Sequence, residues 1–202
     1  MGAYKQPVPV KLVVGMLAGD LEILKQARSL LEARHGPEET VMDPIPFTWT
    51  RYYVDELGEK PWRVFVGYEN LLPREQLVDI KRWTNELELS LAQAGKRRIN
   101  LDPGYLTLGQ FFLATTKDQR HRVYIRDGIF VEPTLYFENG EFLPFPWTYR
   151  DYRSDEYKPW FLEARSKLAY QMHHHGKPFS RRKEFGGGGE SAPGSLGDPG
   201  AI

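Results

Sequence analysis

The residues best suited to chemistry crowd into one stretch of this chain. From Asn100 to Arg126 it reads N-L-D-P-G-Y-L-T-L-G-Q-F-F-L-A-T-T-K-D-Q-R-H-R-V-Y-I-R, with polar groups set among residues of core type. A turn over Thr115, Thr116 and Lys117 offers backbone N–H groups and two hydroxyls. With the Lys117 and Arg122 cations, that set suits an anion such as phosphate. Histidine titrates near neutral pH and a carboxylate can orient its ring. His121 with Asp118, and Glu132 across the following turn, are therefore the candidates for proton transfer. Asn100 and Asp102 project acceptors from a strand end, and Asp102 with Glu132 could hold a hydrated Mg²⁺ or a sugar hydroxyl. Tyr105, Tyr124 and Trp147 offer rings on which a base can stack.

Each of these readings has a plainer rival. Asp102-Pro103-Gly104 has the residues of a turn. The run from Thr115 to Arg122 could be a polar hairpin loop of exposed charges. W-T-Y-R-D-Y-R at 147–153 could grip a phosphate through arginine or serve as an aromatic strap for the last helix. His173, His174 and His175 are adjacent. On a helix they splay apart by about 100° each, so a solvated helix end is favoured over a metal site.

The elements that must position these groups follow from periodicity. Val8 to Leu17 reads as a buried strand and Leu21 to His35 as a helix stopped by Gly36-Pro37. The inner face of that helix is expected to carry Leu21, Leu24, Ala27, Leu30 and Leu31. Pro44 to Leu57 is an aromatic strand candidate, and Trp62 to Glu69 alternates like a half-buried strand. Pro73 opens a helix that runs to Ala94, with Leu77, Ile80, Thr84, Leu87 and Leu91 on one face. Tyr105 to Thr115 fits a strand better than a short helix. Asp127-Gly128 and Asn139-Gly140 mark two tight hairpins. In the first, Arg122, Tyr124, Glu132 and Thr134 are expected to share one polar patch. Ser154 to Met172 is a final helix. The order is βαββαβ, then strands, then a helix. That is an α+β fold with a ferredoxin-like core, a C-terminal β-hairpin extension and a final helix.

Composition sets outer limits. Residues 1–7 read as a flexible lead, 8–175 as one globular domain of the 202-residue chain, and 176–202 as a disordered Gly/Pro/Ser-rich tail. The 27 basic and 27 acidic residues cancel, so no global field favours nucleic acid or an anionic membrane. There is no cysteine, hence no disulfide and no thiolate metal site, which suits the cytoplasm. No run approaches the ~20 apolar residues that span a bilayer. A P-loop, a dinucleotide fingerprint, a zinc pattern and a nucleophile elbow are all missing.

Several motifs nevertheless occur together and in order. V-K-L-V-V-G-M-L-A, T-N-E-L-E, N-L-D-P-G-Y-L-T-L, A-T-T-K-D, H-R-V-Y-I and P-W-T-Y-R-D-Y-R make residues 8–165 resemble the family catalogued as domain of unknown function 4416. The resemblance implies no established activity or catalytic residue. The GTP-binding label its members carry finds no P-loop here, and Thr116-Lys117-Asp118 lacks the spacer of the guanine-reading element. The expectation is a domain that binds a phosphate-bearing small molecule such as a nucleotide. The alternative is an RNA- or protein-binding module that uses an open face of aromatic and arginine side chains.

Overall fold

A computed structural model describes residues 2–174. Among them, nine strands and four helices make a mixed α+β fold around one antiparallel sheet. In chain order these are β1 (Val10–Ala18), α1 (Leu21–His35), β2 (Glu38–Val41), β3 (Ile45–Pro46), α2 (Val54–Leu57), β4 (Trp62–Leu72) and α3 (Leu77–Ser90). Then come β5 (Ile99–Leu106), β6 (Gln110–Thr115), β7 (Val123–Arg126), β8 (Ile129–Glu138), β9 (Glu141–Pro144) and α4 (Lys158–His173). The sheet runs β2-β4-β1-β5-β6-β8-β7, with β3 beside β4 and β9 beside β8. The C-terminal strands therefore continue the first sheet instead of forming a separate hairpin extension. The Gly-rich tail and His175 lie outside the described residues.

Every residue of β1 is buried, as expected for a strand sandwiched between two layers. Leu12, Val14, Met16 and Ala18 pack with Ile23, Leu24, Ala27 and Leu31 of α1. Val13 points the other way, into Phe65, Phe111, Phe142 and the α4 residues Trp160, Phe161 and Ala164. The α1 stripe is rotated from its expected phase: Ile23 faces in, while Leu21 and Leu30 are exposed. Asp20 caps the helix by accepting from the Glu22 N–H at 2.8 Å.

Three expectations need correction. Pro44 to Leu57 is not one strand; Pro44 and Pro46 withhold ladder donors, so it becomes the two-residue β3, a loop and the short α2. Tyr105 to Thr115 is two strands, because Thr107 closes a turn by bonding Gln110 through both backbone and hydroxyl. Asp102-Pro103-Gly104 is not a turn; it lies inside β5, paired with Gly15, Val14 and Val13 of β1.

Candidate functional site

The fork between β5 and β6 creates the site. The two strands pair over only three positions, Gly104 with Leu113 through Leu106 with Phe111. Backbone groups on an antiparallel strand point alternately to its two neighbours. Leu101 turns its N–H and C=O away from β1: Glu88 accepts the N–H at 2.6 Å, and Lys81 donates to the C=O at 2.9 Å. Position 103 has the same parity and would form the next bonded pair with Ala114. Pro103 has no N–H to give. Gly104 marks the closest approach, where a side chain would overlap the Phe112 carbonyl. Beyond it the strands separate into a cleft of about 520 Å³.

Helix α3 closes one side of this cleft with Lys81, Asn85 and Glu88, which share a helix face. Asn100 and Asp102 form the β5 wall, and Thr115, Thr116 and Lys117 continue β6 as the other wall. Phe47, Trp49, Tyr52 and Tyr53 cover one end, tied down where Arg97 grips Glu56 at 2.6 Å and Glu88 at 3.1 Å. Tyr149, Arg150, Asp151 and Tyr152 complete the lining.

Two buried arginines organise the interior. Arg63 pairs with Asp151 at 3.0 Å and lies 3.7 Å from Asp102, with Phe47 and Phe65 beneath its guanidinium. Gly15 stands between Phe65 and Asp102 in the sheet. A Cβ there would lie 2.9 Å from the Phe65 ring and 3.4 Å from Arg63 Nη1, so glycine keeps this path clear. Burial opposes the charge on Arg63, but Asp151 and the surrounding tyrosines and Asp102 outweigh it and hold its pKa above the ordinary value. Burial raises the Asp151 pKa, against the pull of Arg63. Burial also raises the Glu88 pKa, opposed by Lys81 and the Leu101 N–H.

Arg122 donates to Glu132 Oε2 at 2.6 Å, the Lys117 carbonyl at 2.9 Å and the Tyr149 hydroxyl at 2.8 Å. His121 Nε2 lies 3.1 Å from the same Glu132 oxygen. Its ring stacks on Trp147, which stacks in turn on Phe145 and donates to the Pro133 carbonyl.

The family model described as Domain of unknown function (DUF4416) matches residues 8–168. The chain belongs to this family. No curated protein and no solved structure matches.

Of the residues expected at a site in this DUF4416 chain, Asn100, Asp102, Thr115, Thr116, Lys117, Arg122 and Glu132 line the one cleft. His121 and Trp147 stand behind Glu132 and orient it. Asp118 is exposed, and the carboxylate on His121 is Glu132 instead, so the expected Asp118–His121 pair is not formed. The expected polar patch is also split. Arg122 and Glu132 turn inward, Thr134 is buried with its carbonyl taken by the Thr148 hydroxyl, and Tyr124 is 57% exposed against Phe130. Arg122 lies just before β7, and a register shift in the β6–β8 pairing falls at Thr134, between Pro133 and Leu135. Tyr105 packs on Phe112, away from the cleft. Asp102 is engaged by Asn100 Nδ2 at 2.8 Å and by Arg63, and Glu132 by Arg122 and His121. Among the described residues no group of three histidine or carboxylate ligands could hold a metal ion, so the Asp102–Glu132 metal expectation lacks a third ligand.

Sequence reasoning missed Arg63, Arg97, the α3 face and the cover from Phe47 to Tyr53. One signal was available for α3: Lys81, Asn85 and Glu88 recur at helical spacing beside an apolar stripe. Arg63 gave none, because it looks like an outward residue of an alternating strand.

Proposed function

We propose that the DUF4416 cleft binds a phosphate-bearing small molecule such as a nucleotide. The carrying observation is Lys117 and Arg150. Both line the cleft, and among the described residues neither has a carboxylate partner. Lys117 instead rests 5.2 Å from the Tyr52 ring centre. The other lining cations, Arg63, Lys81, Arg97 and Arg122, are committed to carboxylates or backbone carbonyls. Two unneutralised cations beside the Thr115 and Thr116 hydroxyls suit a phosphate. Tyr52 and Trp49 supply exposed rings for a planar group, and the cleft has the size of a small-molecule site.

The RNA- or protein-binding alternative needs an open face carrying Tyr124, Tyr136, Arg122 and Arg126. Tyr124 is exposed, but Arg122 is buried, Tyr136 packs on Phe145 and Arg126 is paired with Asp79 and Asp127, so the cleft reading is preferred. We also read the first half as ferredoxin-like. The order β2-β4-β1-β5, with α1 after β1 and α3 after β4, supports that reading. The cytoplasm is the compartment we assign, from the lack of cysteine. No helix among the described residues is long and apolar enough to cross a membrane.

The test is a thermal-shift screen with nucleotides, sugar phosphates and inorganic phosphate. A ligand at ~100 times its dissociation constant adds about 2.7 kcal/mol of stability. A shift that disappears in Lys117→Ala/Arg150→Ala supports the reading. No shift, or one indifferent to both substitutions, overturns it.

A further inference from the structure

The cleft contains a second set of groups that the phosphate reading does not use. Glu132 is 1% exposed, and both of its named donors, Arg122 Nε and His121 Nε2, approach the same oxygen, Oε2. Its Oε1 is buried with no hydrogen-bond partner. Arg63 is likewise buried in the cleft lining: its Nε makes no hydrogen bond, its Nη1 has only the Asp102 ion pair at 3.7 Å, and the Tyr152 hydroxyl beside it makes none. Asn85 adds an amide with no partner among the described residues. Buried polar atoms are normally satisfied, and an unmatched one on a charged group is costly. The cleft therefore lacks a donor for Glu132 Oε1, and for Arg63 Nη1 it offers no carboxylate closer than Asp102 at 3.7 Å.

Phosphate alone answers only half of this, since it brings acceptors and would repel Glu132. A hydroxyl brings both, donating to a carboxylate and accepting from a guanidinium. We infer that the bound molecule is a phosphate ester of a sugar or other polyol. Its phosphate lies at Lys117 and Arg150, and a hydroxyl donates to Glu132 Oε1. Arg122 and His121 act as positioning residues: by occupying Oε2 they leave Oε1 as the acceptor presented to the ligand. The Trp147 stack holds His121 in place. This inference rests on the phosphate reading but narrows it to hydroxyl-bearing esters.

The experiment titrates wild-type protein with ribose 5-phosphate, its analogue without ring hydroxyls (tetrahydrofurfuryl phosphate) and inorganic phosphate, by calorimetry. The ribose ester is expected to bind about 10- to 100-fold more tightly than the deoxygenated ester, the range for a hydrogen bond to a charged group. Glu132→Gln should remove most of that difference, with an unchanged circular dichroism spectrum as the control. If Glu132→Gln does not fold, the ligand pair on wild-type protein still decides. Equal binding of the two esters means that water satisfies Oε1 and overturns the inference. So does failure of ribose 5-phosphate where inorganic phosphate binds; if that phosphate binding is lost in Lys117→Ala, the anion reading stands without the polyol. Failure of all three probes defeats the polyol inference and counts against the anion reading as well.

Discussion

Two buried cations on the same face of the sheet behave differently. Lys11, 0% exposed, spends its three ammonium hydrogens on Glu39, the Tyr68 carbonyl at 3.2 Å and Gln171 at 2.7 Å. Gln171 passes the connection to the Glu69 carbonyl, fastening α4 across β4. Arg63 is as deeply placed, yet it bonds Asp151 through Nη2, makes no hydrogen bond through Nε, and holds Nη1 only within 3.7 Å of Asp102. The first network is closed and joins a helix to a sheet. The second is open on the side where β5 and β6 diverge. Glu39 also keeps one unpartnered oxygen, but it does not line the cleft. The contrast sets a charge whose donors are all used within the fold against one that keeps a donor in hand.

The largest effect should come from the closed network. Lys11→Met leaves the Glu39 carboxylate buried without its cation and should cost about 3–5 kcal/mol in urea unfolding. Arg63→Met should cost less, about 2–3 kcal/mol, because Asp151 already has its pKa raised by burial and can take up a proton. Its deficit should shrink as the pH is lowered. If Arg63→Met proves the more damaging, the division into closed and open networks is wrong.

His35 provides a control outside both networks. Burial against Tyr68 and Trp83, with help from Arg34, lowers its pKa from 6.5 to about 4. The folded value lies below the unfolded one, so the stabilisation is complete above pH 6.5 and is lost as the pH falls through 4. After discounting for partial exposure the swing is about 2 kcal/mol at most. His35→Phe should flatten the stability profile over that window without altering ligand binding. The smallest effect on stability belongs to the cleft mouth: Lys117→Ala should stay within about 0.5 kcal/mol of wild type. The same substitution should weaken phosphate-ester binding by about tenfold or more.

What could be read from the chain was what local rules determine. Asp127-Gly128 and Asn139-Gly140 are hairpin turns with φ positive at both residues of each pair, as a primed turn demands. The α1 limits, Leu21–His35, follow from a capping aspartate and a Gly-Pro stop. Asn100, Asp102, Lys117 and Arg122 were legible as neighbours because they lie within one run of sequence, and Glu132 because a two-residue hairpin returns it to that run. Arg63 was not, since its role depends on partners 39 and 88 positions away, brought close only by the strand order. Asp102-Pro103-Gly104 misled because residues that break a ladder serve equally to make a turn or to hold neighbouring strands apart.

The divergence of β5 and β6 has a consequence for kinetics. A missing backbone hydrogen at Pro103 and a close contact at Gly104 produce it, and both are built into the covalent chain. The two strand walls are therefore already in place before anything arrives, so association should require little reorganisation there. The cover from Phe47 to Leu57 is different: it reaches β5 and α3 through the partly exposed Glu56–Arg97 pair. Entry and escape should be timed by that latch. Glu56→Gln is then expected to change association and dissociation rates together, while leaving the equilibrium constant nearly untouched.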